Sequence, residues 1–112
     1  MTPEQKRELL TLAARACGIE CDIVEFGTLG VFKGVNSYGE VVFNPLHSPG
    51  DCAEMEDALE IALDWGGGYV IAAAFNFEIT KRENYMGKDS RGAARRLASV
   101  RVAAEIGRRK EG

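Results

Sequence analysis

The stretch "WGGGYVIAAAFNFEIT" (65–80) decides which kind of fold this chain forms. Its β-branched and aromatic residues are typical of a strand, and the three glycines before them predict a turn or hinge. Alternate residues of a strand lie on opposite faces, so Val70, Ala72 and Ala74 share one face and the residues between them share the other. Both sets are apolar, and no polar residue interrupts them before Asn76. We therefore expect both faces of this sheet to be covered, with the alanines allowing a helix to approach closely. The other face would comprise Tyr69, Ile71, Ala73, Phe75, Phe77 and Ile79.

Three shorter runs upstream have the composition of strands. They read "CDIVEF" (21–26), "GVFKGV" (30–35) and "EVVFN" (40–44), and the segments "GTLG" and "NSYG" between them place glycine at turn positions. Short β runs joined by glycine-containing turns predict a three-stranded antiparallel meander.

The first helix has clear start and stop signals. Thr2 and Gln5 have the spacing of a capping box, with Pro3 at the first helical position. Gly18 supplies the residue that ends the helix.

The segment "FNPLHSPGDCAEMEDAL" (43–59) predicts a strand exit followed by a second helix. Pro45 cannot donate to a sheet, Ser48 is a helix cap, and Asp51 complements the helix dipole in the first turn. The predicted buried stripe of this helix is Cys52, Met55, Leu59 and Ala62, and its acidic outer face is Glu54, Asp57, Glu60 and Asp64. For the last helix, Ser90 is the predicted cap and Ala93, Leu97, Val100 and Ala104 form the predicted buried stripe.

The order α-βββ-α-β-α predicts a small three-layer α/β/α sandwich, with a mainly antiparallel sheet covered by helices, in a single domain spanning 1–112. The composition, 46% hydrophobic and 28% charged, is ordinary for a globular chain. No apolar run reaches the roughly 18 residues that cross a bilayer. The N-terminus has the pattern of a helix rather than of a signal peptide. We expect a cytoplasmic protein without a membrane association.

Charge is unevenly distributed along the chain. Residues 1–80 contain 4 basic and 13 acidic side chains, a net charge of −9, whereas residues 81–112 contain 10 basic and 4 acidic ones, a net charge of +6. Such a split indicates either pairing of opposite charges, within the chain or in a homodimer, or a basic face for an anionic partner. The alternative is a solvated basic helix without a binding role.

The three cysteines, Cys17, Cys21 and Cys52, are expected to be reduced thiols. Together with His47 they have the residue types of a zinc site, but zinc sites usually have two close ligand pairs and only one pair is present. We therefore expect no metal and no cofactor.

Two segments resemble a known family. "FNPLHSPGDCAEMEDALEIALDW" (43–65) resembles the W-N-P-L…D-A…L segment of the phage ABA-sandwich domain, small proteins of tailed phages and prophages. "DSRGAARRLASVRVAAEIGR" (89–108) is similar to the C-terminal helix of that family, and Phe43 stands where the family has tryptophan. The resemblance implies a phage accessory protein in the cytoplasm of its host. The family has no established catalytic residues to carry over.

Catalytic motifs are sparse. The segment "GKDS" (87–90) lacks the first glycine of a phosphate-binding loop and the Ser or Thr that follows its lysine. A hydrolase or nuclease would have to use His47, the single histidine, with Asp51 or Cys52. Cys52, however, lies on the predicted buried stripe, where a thiol packs as a small hydrophobic residue. The acidic face of the second helix is interpreted as solvated surface.

The basic last helix is the stronger candidate for binding. Guanidinium groups at helical spacing suit phosphate or nucleotide recognition, and aromatic residues for stacking are close in sequence. The predicted ligand-binding residues are Arg91, Arg95, Arg96, Lys88, His47 and Tyr85.

These observations predict a non-enzymatic phage or prophage protein that acts against host defence. It would dock on a host defence protein or sequester an anionic, nucleotide-like small molecule. Recognition of nucleic acid is not expected, because no known nucleic-acid module is present. We expect a homodimer. A small hydrolase or nuclease using His47, and a phage assembly factor, remain the alternatives.

Overall fold

The computed structural model describes the backbone of residues 2–26, 29–36 and 39–111, and the side chains of residues 2–19 and 43–110. Helix α1 comprises Pro3–Ala16, strands β1 to β3 comprise Glu20–Phe26, Leu29–Asn36 and Gly39–Phe43, and helix α2 comprises Pro49–Leu59. Strands β4 to β6 comprise Ala62–Gly66, Tyr69–Ala74 and Ile79–Asn84, and helix α3 comprises Arg91–Glu111.

The fold is a small α/β sandwich with antiparallel strands, as the sequence predicts. Strands β1, β2 and β3 form the predicted meander. The fourth β segment differs in detail, because it divides into a second three-stranded antiparallel meander of β4, β5 and β6. The glycines at 67 and 68 form the turn from β4 to β5, where Gly68 has a φ of 78°.

The turn from β5 to β6 has an unusual backbone. Phe75, Asn76 and Phe77 are consecutive non-glycine residues with φ of 54°, 56° and 68°. Left-handed conformations cost about 1–2 kcal/mol for each such residue. The expectation that Phe75 and Phe77 continue the apolar face of a strand is therefore wrong. Both lie in the turn, and their side chains are exposed.

Helix α3 links the β4–β6 sheet to helix α1. It packs on β5 and β6 and on α1, while α1 also packs on β1 and β2. Val70, Ala72 and Ala74 are buried in the core with α3, which confirms that these small side chains admit a helix. Contact on two sides also explains why the buried surface of α3 is wider than the predicted stripe. Ala98, Val102 and Ala103 are buried as fully as Val100, whereas Ala93 is exposed.

Gly107 allows the backbones of α1 and α3 to approach closely. A Cβ atom at this position would lie 2.7 Å from the carbonyl carbon of Leu12 and closer still to its oxygen. Real Cβ atoms do not approach backbone atoms to this distance. The helix pair at the centre of the molecule therefore depends on the absence of a side chain at this residue.

The entry into α2 follows the sequence prediction, with one added contact. Ser48 accepts a hydrogen bond from the amide of Asp51, and Pro49 begins the helix. The Asp51 carboxylate accepts from the backbone amide of Asn44 at 2.9 Å, which ties the end of β3 to the start of α2.

The entry into α3 differs from its prediction. A short 3₁₀ helix, Lys88–Ser90, precedes it. Within that turn the Ser90 hydroxyl bonds back to the amide and carbonyl of Met86 rather than capping α3.

One face of the β4–β6 sheet is turned away from α3. Tyr69 and Ile71 on this face are half-buried, and Ala73 is buried. The guanidinium of Arg82 stacks on the Tyr69 ring at 4.0 Å, which shows that these two residues share the face. Over the described residues, none of the helices combines the length and the apolar character that crossing a membrane requires.

Candidate functional site

A cleft of about 510 Å³ lies between α1, β6 and α3. Its volume is within the range of pockets that hold small ligands, about 300–1,000 Å³. Helical spacing explains its two long walls, because residues three and four apart lie on the same side of a helix. The lining residues are Gln5, Glu8, Leu9, Lys81, Arg101, Ala104, Glu105 and Arg108.

The cations of the cleft differ in how they are paired. Arg101 lies 3.1 Å from a carboxylate oxygen of Glu83, and Arg108 lies 2.9 Å from Glu105 and 3.7 Å from Glu8. Lys81 is half-buried and has no hydrogen bond or ion pair with any residue in the described parts of the chain. A cationic side chain that lines a cleft and has no acceptor of its own is available to an anionic ligand.

Tyr85 and Arg91 meet around Trp65. The Arg91 guanidinium lies 4.1 Å from the centre of the Trp65 ring, and the Tyr85 ring meets the same indole edge to face at 6.0 Å. Trp65 is 36% exposed. The structure therefore brings these two predicted site residues together, through an aromatic residue that the sequence analysis had not included.

Arg95 is held by Glu56 rather than directed toward a cleft. Its Nε donates to Glu56 Oε2 at 3.2 Å and its Nη2 to Oε1, while the hydroxyl of Ser99 donates to Oε2. Glu56 is only 6% exposed, and Ser99 is fully buried. The hydrogen bonds to this carboxylate raise the pKa of Arg95, so the guanidinium stays charged. The group joins α2 to α3.

Glu56 is the polar residue that the sequence analysis missed. It follows Cys52 by four residues and Met55 by one, so helical spacing places it beside the buried stripe of α2. A charged residue at such a position normally has a partner. That spacing was a signal from which a buried ion pair could have been predicted.

Two further predicted site residues, Arg96 and His47, lie near each other at the segment that leads into α2. The Arg96 Nε donates to the carbonyl oxygen of Leu46 at 2.9 Å, which ties α3 to the segment before α2. His47 is exposed, and its pKa is lowered by partial desolvation and then by the positive charges of Lys6 and Arg96. The imidazole is therefore mainly neutral at pH 7.

The predicted site residues are thus distributed rather than gathered in the cleft. Lys88 is exposed on the 3₁₀ helix, Arg95 lies against α2, and Arg96 lies beside His47. The cleft is formed by residues further along α3 and by parts of α1 and β6. A role for the predicted set in ligand binding stays a prediction.

The thiols near the centre of the molecule are poor nucleophiles. Burial, and then the negative charge of Glu56, raise the pKa of Cys52 to about 12. Burial raises the pKa of Cys17 to about 11, although Lys110 opposes the shift. Both thiols are protonated at neutral pH, and the thiolate is the reactive form. A mechanism that uses Cys52 as a nucleophile therefore lacks its reactive species.

Cys17 and Cys52 are free thiols, and the side chain of Cys21 lies outside the described residues. Over the part of the chain with described side chains, no three His, Cys, Asp or Glu residues are arranged to hold a metal ion. The hypothetical zinc site at Cys17, Cys21, Cys52 and His47 involves one residue beyond that part.

Comparison with known proteins gives no match to a family model, a curated protein or a solved structure. The candidate ligand site therefore rests on the geometry of this chain.

Proposed function

We propose that this protein binds a small anionic, nucleotide-like ligand in the cleft between α1, β6 and α3, and that it acts by sequestering the ligand. The observation that carries this proposal is the half-buried Lys81 side chain, which lines the cleft and has no acceptor in the described residues. Arg101 lines the cleft with it and is 43% exposed in its side chain, so its remaining donors can reach an entering anion.

The acidic residues of the cleft restrict the class of ligand. Glu8 and Glu105 line it together with the cations, and carboxylates accept hydrogen bonds while repelling anions. A simple polyanion would be attracted by the basic residues of the cleft but repelled by the carboxylates of Glu8 and Glu105. A nucleotide has phosphates for Lys81 and Arg101, and it has sugar hydroxyls and base amines that can donate to the carboxylates. We therefore favour a phosphorylated ligand that also carries hydrogen-bond donors.

A role in a phage or prophage is part of the same proposal. Its support is the resemblance of residues 43–65 and 89–108 to segments of the phage ABA-sandwich domain. Sequestration requires binding without turnover, which suits a cleft in which Cys52 takes no part. An anti-defence protein of this kind would lower the free concentration of a small molecule in its host.

Calorimetric titration with ATP, inorganic triphosphate and adenosine tests the proposal. We expect ATP to bind, triphosphate to bind more weakly and adenosine not to bind. Lys81→Gln should weaken ATP binding about tenfold or more, because hydrogen bonds to charged groups contribute about 1.5–3 kcal/mol. Lys6→Gln is the matched control, since Lys6 is half-buried like Lys81 and lies outside the cleft lining.

Two results would overturn the proposal. The first is the absence of binding of both ATP and triphosphate at about 1 mM, a concentration at which even a complex of only about −4 kcal/mol would be half formed. The second is ATP binding that Lys81→Gln leaves unchanged.

A further inference from the structure

The face of the β4–β6 sheet that is turned away from α3, called the outer sheet face below, has an ordered arrangement of charge. Its central strand contributes Tyr69 and Ile71, which are half-buried, whereas Ala73 on the same face is already buried. Strand register pairs Ile71 with Asp64 on β4 and with Arg82 on β6. One row across the sheet therefore consists of an acidic, an apolar and a basic residue, on neighbouring strands whose backbones are about 4.8 Å apart.

Neither charge in this row has an oppositely charged partner among the described residues. Asp64 is exposed, and it forms no hydrogen bond or ion pair with a described residue. Arg82 stacks on Tyr69 and donates from Nε to the side-chain oxygen of Asn84 at 3.1 Å, but it has no carboxylate partner in the described part of the chain. Several arginines of α3, in contrast, have carboxylates within 4.0 Å.

We propose that the outer sheet face binds a second copy of this chain about a two-fold axis that runs parallel to β5. Such an axis places β4 of one copy over β6 of the other. Asp64 then lies opposite the partner's Arg82, and the partner's Asp64 lies opposite Arg82. Ile71 meets the partner's Ile71 at the centre. A two-fold axis across the strands would instead oppose like charges. The order of the row therefore selects one orientation, as a self-complementary interface requires.

The neighbouring rows leave room for this contact. Tyr69 is flanked by Gly66 and Asn84, and Ala73 is flanked by Ala62 and Thr80. A Cβ atom at Gly66 would lie 2.5 Å from the Tyr69 hydroxyl and closer to the ring, so the glycine lets this ring lie flat across β4. The small neighbours suit two sheets packed about 10 Å apart, with the Arg82 guanidinium lying between the Tyr69 ring and the partner.

The size of the face sets the strength of the dimer. Three strands about 4.8 Å apart and three rows about 7 Å apart cover roughly 200–300 Å², against about 800 Å² on each partner of a standard interface. The dimer is therefore weak and forms in the range of about 0.1–1 mM. This proposal is independent of ligand binding, because Lys81 and the cleft lie on the α3 side of the sheet.

Sedimentation equilibrium over about 0.01–1 mM protein tests the interface. We expect the wild-type chain to move from monomer to dimer over this range. Asp64→Arg and Arg82→Asp should each raise the dissociation constant about tenfold or more, because each opposes like charges at two symmetric places. The double variant D64R/R82D should restore the dimer, since the row is only reversed. Asp57→Arg, at an exposed acid of α2, is the control.

Three outcomes would overturn this interface. They are a wild-type chain that is monomeric at the highest concentration, single variants that associate as strongly as the wild type, and a double variant that stays monomeric although its circular dichroism is native.

Discussion

At the scale of single residues, Glu56 shows how a charge is accommodated in the core. Its carboxylate accepts hydrogen bonds from Arg95 and from Ser99, and it is 6% exposed. Arg95 reaches it from α3 with a side chain that remains 41% exposed, so water still screens the cation. The main effect of the group is to satisfy the buried Ser99 hydroxyl and to fix α2 on α3.

We expect Glu56→Ala to lower the free energy of unfolding by about 2–3 kcal/mol, because it leaves Ser99 without an acceptor and removes both bonds of Arg95. Urea denaturation measures this difference. Glu54→Ala, at an exposed position of the same helix, should change stability by less than about 0.5 kcal/mol. Equal effects of the two substitutions would contradict a structural role for the buried carboxylate.

Residue identity alone could not predict the candidate site. The sequence indicated a basic last helix, and two arginines of that helix, Arg101 and Arg108, do line the cleft. Spacing could not show which arginines would be engaged by Glu56 or Leu46, because those partners are 39 and 50 residues away. Lys81 belongs to the basic segment 81–112 but was not among the predicted ligand-binding residues, since its position in the cleft depends on the register of β6.

At the scale of elements, the starts of α1 and α2 were the most predictable features, because their signals are local. The end of α2 was not, since the predicted helical pattern continued to Ala62 and Asp64, whereas the helix ends at Leu59 and these two residues lie in β4. The capping box of Thr2 and Gln5 and the Ser48 cap form as expected. Residues 65–80 were harder, because Gly67–Gly68 and Phe75–Glu78 both end strands without any proline. Nothing in the local pattern marks phenylalanine as a left-handed turn residue, so β5 and the start of β6 were interpreted as one strand.

The contact between α1 and α3 depends on Gly107, and helix propensity predicts the opposite effect of replacing it. Alanine is better than glycine in a helix by about 1 kcal/mol. A Cβ atom at this position, however, would overlap the backbone of Leu12. We expect Gly107→Ala to destabilise the protein by about 2 kcal/mol or more, because overpacking against backbone forces the helices apart. Thermal or urea unfolding measures this change.

Gly92 in the same helix supplies the control for Gly107. A Cβ atom at Gly92 would meet only the terminal Nη1 of Arg96, at 3.1 Å, and a long side chain can move aside. Gly92→Ala should therefore leave stability unchanged or raise it by up to about 1 kcal/mol. If both alanine variants were stabilised alike, the close approach of α1 and α3 would be refuted.

At the scale of the whole molecule, the uneven charge of the chain is largely used internally. Arginines of α3 pair with acids that precede the basic segment, namely Glu8, Glu56 and Glu78, as well as with Glu83 and Glu105 within it. The pairing of opposite charges within the chain, one of the interpretations open from the sequence, is therefore observed. The outer sheet face and Lys81 are exceptions, and both proposals rest on them.

Most of these pairs are exposed, so their combined contribution should depend on ionic strength. Raising salt from about 20 mM to about 500 mM shortens the screening length from about 20 Å to about 4 Å. Exposed pairs contribute at most about 1 kcal/mol each, and we expect a total loss of about 1 kcal/mol in unfolding free energy. The double variant R108Q/R109Q, which removes contacts to Glu8, Glu78 and Glu105, should lose less over the same range. Identical salt dependence in the variant and the wild type, measured by urea denaturation, would show that these pairs do not stabilise the fold.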